Sequence, residues 1–311
     1  MTTLMNKLTL ICLGILFALP LAVKAGDDVS SAPAGLKPPA TSPQTLSANS
    51  QFGLFDWLDK RSSYGQGAYP EPFLIDDTDL EVNEARLDWN YSNSGGTAHS
   101  NVLTGEVEKG FGQLTLEVEA PLEIDNAGDG SKSAVNFSNI DVGARMPFAD
   151  YVAPSGKWDT TFGTAIEIGI PTGSAIARTT EVVPKLFNDL RIGDHFTLQS
   201  IFGYSTFVGK MDGVGGQQTF EYGFVAGYTI TREQLTIPGI MQFIPIFELS
   251  GEKSLNLTFS NGVTADVGFR ANLNPIGDVQ PRLGAAYVFP LDGTAREDQH
   301  YGVITSLVFE Y

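Results

Sequence analysis

Three histidines, His99, His195 and His300, and one cysteine, Cys12, are all the imidazole and thiol groups in this 311-residue chain. Nucleophilic catalysis needs a base held beside a serine, threonine or cysteine. His99 and Ser100 adjoin in the sequence. Neighbouring strand residues point to opposite faces, however, so the two form no dyad unless a turn intervenes. His195 and His300 sit beside turn-forming segments and read as solvated loop groups. No enzyme is expected, a lipid hydrolase included. Asp125-Asn126-Ala127-Gly128-Asp129-Gly130 has the acids and glycines of a calcium loop but neither its full ligand spacing nor its distal glutamate. Gly213-Val214-Gly215-Gly216 is followed by no lysine and no helix that would make a phosphate cradle. No metal site and no cofactor is expected.

The acids carry more information through their parity. Glu84, Asp88, Glu106, Glu108, Glu117, Glu119, Asp141, Glu167, Asp189, Glu221, Glu248, Asp266 and Glu310 alternate with apolar neighbours. Arg86, Arg145, Arg270 and Arg282 share their face. In one segment Leu114, Leu116, Val118 and Ala120 oppose Thr115, Glu117 and Glu119. In another Val263, Ala265, Val267 and Phe269 oppose Thr264, Asp266, Gly268 and Arg270. A dry core cannot hold so many carboxylates, because an unpaired buried charge is strongly disfavoured. The apolar face must look outward at lipid and the charged face at a wet or ion-paired lumen. Two states of that lumen stay open. Acids and arginines can bridge and seal it, or surplus acid can leave a narrow passage that favours cations. Glu106, Glu108, Glu117 and Glu119 fall on adjacent strands as one acidic patch, with Arg86 as the nearest expected counter-charge.

Twelve segments with this two-residue period run from 79 to 311: 80–91, 101–109, 113–123, 135–148, 158–170, 181–191, 195–207, 218–230, 240–250, 263–273, 280–290 and 301–311. Each is close to the roughly 9–11 residues that a tilted strand needs to cross a bilayer. No stretch there keeps a helical period, so no helix is expected. Connections after the odd segments are long and polar, SNSGGTAH after the first and DGTAREDQH after the eleventh. Those after the even ones are mostly short, Gly110-Phe111-Gly112 and Gly193-Asp194 among them; those after the fourth and eighth are longer. Long outer loops and short inner turns predict an antiparallel transmembrane β-barrel of twelve strands with both termini periplasmic.

Aromatic residues fall at the segment ends on the outward parity. Phe148, Trp158, Tyr228 and Tyr311 mark one rim, and Trp89, Tyr91, Tyr204, Phe220, Phe289 and Tyr301 the other. Rings with a polar edge settle at membrane interfaces in this way. The last segment carries Tyr301, Val303, Leu307, Phe309 and the terminal Tyr311 on one face. That pattern resembles the insertion signal of bacterial outer-membrane proteins and implies the barrel-assembly machinery as a partner.

The remaining parts place the chain in its compartment. Lys7, the apolar run Leu8 to Leu21 and Val23-Lys24-Ala25 read as a secretory signal peptide over 1–25. Cys12 leaves with it. Residues 26–50 are a Ser/Pro/Ala-rich flexible linker. The stretch 51–78, with Phe52, Phe55, Trp57 and Leu58 clustered at its start, is a docking or plug segment. A net charge of −17 excludes nucleic-acid binding, which needs basic surface.

From about Pro72 onward the chain resembles the barrel family named for the MetA pathway of phenol degradation. The resemblance rests on Glu71-Pro72-Phe73-Leu74-Ile75-Asp76-Asp77-Thr78, Gly143-Ala144-Arg145, GTAIEIGIPTG from Gly163 to Gly173, and Phe247-Glu248-Leu249-Ser250-Gly251. It implies outer-membrane transport of small, often aromatic, substrates and no catalytic residues. The expected function is therefore an outer-membrane channel or transporter with an acidic lumen, contacting outer-membrane lipid and lipopolysaccharide. A structural or surface-interaction barrel with a sealed lumen is the alternative.

Overall fold

The computed structural model describes residues 69–78, 83–208, 217–256, 261–277 and 279–311. The signal peptide, the linker and the Phe52–Leu58 cluster lie outside them. All described residues belong to the unit Phe52–Tyr311.

Among the described residues, alternation of side chains produces fourteen strand segments: β1 (Asn83–Gly95), β2 (Ala98–Phe111), β3 (Leu114–Asn126), β4 (Ala134–Phe137), β5 (Ile140–Val152), β6 (Trp158–Ile170), β7 (Thr180–Ile192), β8 (Phe196–Val208), β9 (Gln218–Tyr228), β10 (Ile230–Thr231), β11 (Ile240–Ser254), β12 (Asn261–Leu273), β13 (Gln280–Pro290) and β14 (Tyr301–Glu310). Both β4 and β5 pair with β3, and both β9 and β10 pair with β11, so each couple is one interrupted strand. Twelve antiparallel staves result, and the pairing of β14 with β1 closes the ring. Closure gives each long strand a partner on both sides, as hydrocarbon requires, and among the described residues only the short β4 and β10 pair on one side.

The two faces are inverted relative to a water-soluble barrel. Val107 and Leu186 on the outside are 52% and 57% exposed, whereas Glu108, Asp266 and Arg270 inside are 0% exposed. Lipid replaces the missing apolar core on the outer face. The aromatic rims are present as well. Trp89, Tyr91, Tyr301, Tyr287 and Phe289 form a continuous strip of ring contacts across β1, β14 and β13. Tyr151 and Trp158 pack together at the opposite rim, 5.0 Å between centroids.

Three expectations need correction. The first connection is a tight turn at Gly95–Ala98, not a long loop; Gly95 and Gly96 take positive φ, and Ser92 to Ser94 stay in the sheet. Strand β5 continues to Val152 through a bulge at Pro147–Ala149, which shortens the fourth connection to 153–157. Among the described residues two short helices also occur, Arg232–Leu235 and Gly293–Asp298. Both lie in connections, where neither lipid nor the strand period constrains the chain.

Candidate functional site

Inside the ring, Tyr69–Thr78 runs through the lumen and is held at nearly every residue. Glu248 accepts the backbone N–H groups of Phe73 at 2.7 Å and Leu74 at 2.9 Å. Arg270 donates to the carbonyls of Glu71 at 2.8 Å and Pro72 at 2.9 Å, and Arg86 donates to Pro72 O at 2.6 Å. Pro70 and Pro72 have no N–H to satisfy, which lowers the number of donors an enclosed extended segment must place. Arg282 pairs with Glu71 and Glu310. Thr78 donates to Asp189 at 2.6 Å and accepts from Gln199 at 2.9 Å. Tyr69 donates to Asp159 at 3.3 Å beneath Arg191.

Small wall residues make room for this segment. A Cβ at Gly284 would stand 2.8 Å from the Phe73 ring, and one at Gly223 would overlap Ile75. Ile75 then packs against Phe187, Ile201, Val225, Ile244 and Ile246, an apolar patch among the charged groups of the lumen.

The segment divides the inward residues into two sets. Glu84, Glu108, Arg145, Glu248, Asp266 and Arg270 are buried around or beneath it and line no open space. Glu119, Asp141, Glu167 and Glu221 remain partly exposed, as do Arg86, Asp88, Glu106, Glu117 and Arg282. The counter-charge expected for the Glu106–Glu119 patch is also different. Arg145, reaching across from β5, donates to Glu117 at 2.6 Å and to Glu108 at 2.8 Å, whereas Arg86 only approaches Glu106, at 3.7 Å. Sequence proximity favoured Arg86; the cross-strand register of β2, β3 and β5 decides for Arg145.

Beside the segment lies a cavity of about 200 Å³ lined by Asp76, Glu167, Glu181, Glu221, Glu252 and Lys185, among others. Lys185 pairs with Asp76 and with Glu167, the latter at 2.5 Å. Glu181 accepts from Ser205. Sequence reasoning passed over Glu181 and Lys185, although both share the parity of Asp189 on β7. Glu252 fell beyond the expected strand end at 250, and β11 runs on to Ser254.

Tyr301, Phe309 and Tyr311 are exposed on the outer face, and Val303 and Leu307 are partly covered. His99 hydrogen-bonds Thr97 O at 3.0 Å, His195 approaches Gln234 at 3.4 Å and His300 packs against Gly95.

No family model matches the chain, and no curated protein matches it in sequence. Among solved structures it is similar to an outer-membrane channel from Pseudomonas putida F1, with 10% identity, 78% of this chain and 100% of that one covered, and a TM-score of 0.48. It is similar to the NanC porin at 10% identity, 74% and 99% coverage and a TM-score of 0.45. LpxR from Salmonella typhimurium is a third, at 11% identity, 73% and 100% coverage and a TM-score of 0.37.

Proposed function

We propose that this chain is a bacterial outer-membrane channel for small solutes, with Tyr69–Thr78 as its constriction and the acidic cavity as its cation-favouring mouth. The cavity carries the reading. Asp76, Glu167, Glu181, Glu221 and Glu252 line it with Lys185 as the counter-charge, so the space beside the constriction is strongly acidic. Carboxylate-lined pores concentrate cations and exclude anions. The cavity lies toward the rim that carries the longer connections, which this reading takes as the outer surface. Assembly machinery, lipid and lipopolysaccharide are the partners that follow from such a location.

Glu71–Thr78, which carries part of the MetA-family resemblance, is the segment inside the lumen, and the apolar patch around Ile75 suits a small aromatic solute as well as the segment itself. The sealed-barrel alternative draws on one observation, the number of bonds that tie the segment to the wall. Purified full-length protein in planar bilayers separates the two readings. Stepwise conductance with a cation-selective reversal potential in a potassium chloride gradient is expected. A barrel proven folded that never conducts is a sealed one.

A further inference from the structure

Three carboxylates from three separate elements converge beneath the inserted segment. Asp77 belongs to that segment, Glu84 to β1 and Glu108 to β2, and one oxygen from each lies within 4.8 Å of the others. Glu84 and Glu108 are directly opposite in the β1–β2 register, so the sheet fixes two of the groups and the segment delivers the third. All three are buried, Glu84 to 1% exposure. Among the described residues neither oxygen of the Glu84 carboxylate has a hydrogen-bond partner. This contrasts with Glu248, whose two oxygens each accept a backbone N–H.

The nearby cation accounts for only part of the cluster. Arg145 donates to both oxygens of Glu108 and to Glu117 and lies 3.5 Å from Asp77, but among the described residues no ion pair joins it to Glu84. Burying a carboxylate without a directly bonded partner costs several kcal/mol, so Glu84 is the group that calls for one. Oxygen-only ligation selects a hard cation. Calcium holds oxygens at about 2.3–2.6 Å, so two oxygens of one shell stand at most about 5 Å apart. The separations at this cluster fit within that limit. Magnesium demands a tighter octahedron and keeps its waters, which suits three converging buried side chains less well.

We propose that Asp77, Glu84 and Glu108 bind a calcium ion that fastens the inserted segment to the barrel wall. The site stands whether or not the barrel conducts, and its test reads binding rather than current. Full-length protein folded in detergent is stripped with a chelator and titrated calorimetrically with calcium chloride and, separately, magnesium chloride at neutral pH. One calcium per chain is expected, bound more tightly than magnesium. Glu84→Gln and Asp77→Asn should each weaken it at least tenfold, while Glu297→Gln on an exposed connection leaves it unchanged. Asp77 lies outside the strands, so D77N stays informative if E84Q does not fold; heat-modifiable mobility on a gel reports folding for both. Absence of stoichiometric calcium binding by the unmodified protein overturns the site. So does binding that survives both ligand substitutions, or a preference for magnesium.

Discussion

The guanidinium carbon of Arg270 lies 3.8 Å from the centroid of the Phe73 ring. The same side chain donates to the carbonyls of Glu71 and Pro72, so one wall residue grips ring and backbone of the inserted segment together. A cation over an aromatic face gains most where water is excluded, and Arg270 is fully buried. The grip therefore belongs to the segment rather than to a solute.

Glu248 is the place to loosen it. Glu248→Ala removes both acceptors of the Phe73 and Leu74 N–H groups. Each donor left buried without a partner costs about 1–3 kcal/mol, and the segment can recover that only by leaving the wall. The variant should open more often, with roughly tenfold or greater growth in open time in bilayer recordings. It should also admit bulky antibiotics into cells that the unmodified protein excludes. Open times equal to those of the unmodified protein would show that Glu248 does not hold the constriction.

The strands were readable because lipid outside and charge inside write a two-residue period. The expected 158–170 and 280–290 coincide with Trp158–Ile170 and Gln280–Pro290. The first hairpin was not, since Ser92, Asn93 and Ser94 extend the sheet past the apolar band with loop-like polar residues. The inserted segment was harder still. Its contacts run through backbone groups to Arg86, Glu248 and Arg270, and a side-chain pattern does not record who binds a carbonyl. Those wall charges could thus be assigned inward from parity, while the partner they serve could not.

The lengths of the connections predict the orientation. Ser131 and Glu297 are exposed in connections at one rim, and Ile276, 73% exposed, at the other. In a Cys12→Ser background, Ser131→Cys and Glu297→Cys should react with an impermeant maleimide on intact cells, and Ile276→Cys only after lysis. The opposite pattern would invert the barrel and put the acidic cavity toward the periplasm.

Assembly should depend on the last residue. Tyr311 is 53% exposed on the outer face, and its N–H closes the seam on Asn83 O at 2.8 Å. Tyr311→Ser keeps that backbone bond and removes the ring. It should lower the amount of heat-modifiable barrel in outer-membrane fractions several-fold, while Glu310→Gln leaves assembly near normal. Equal amounts from both variants would mean that the ring does not carry the insertion signal.

In the proposed channel, selectivity should rest on the acids around Lys185. Replacing Glu167, Glu181, Glu221 and Glu252 together with glutamine keeps side-chain volume and removes their charge from the cavity wall. Lys185 and Asp76 then remain as a pair, and the cation preference in a potassium chloride gradient should fall toward none. Lys185→Met acts in the other direction. It leaves Glu167 and Asp76 without their counter-charge and should strengthen the preference, more so at low salt, where screening is weak. Lys185 also ties the segment to the wall through Asp76, so K185M should lengthen open times as E248A does. The two measurements are separable, because reversal potential reads charge and open time reads the segment. An anion-selective pore, or one indifferent to both sets of changes, would place the conducting path away from this cavity.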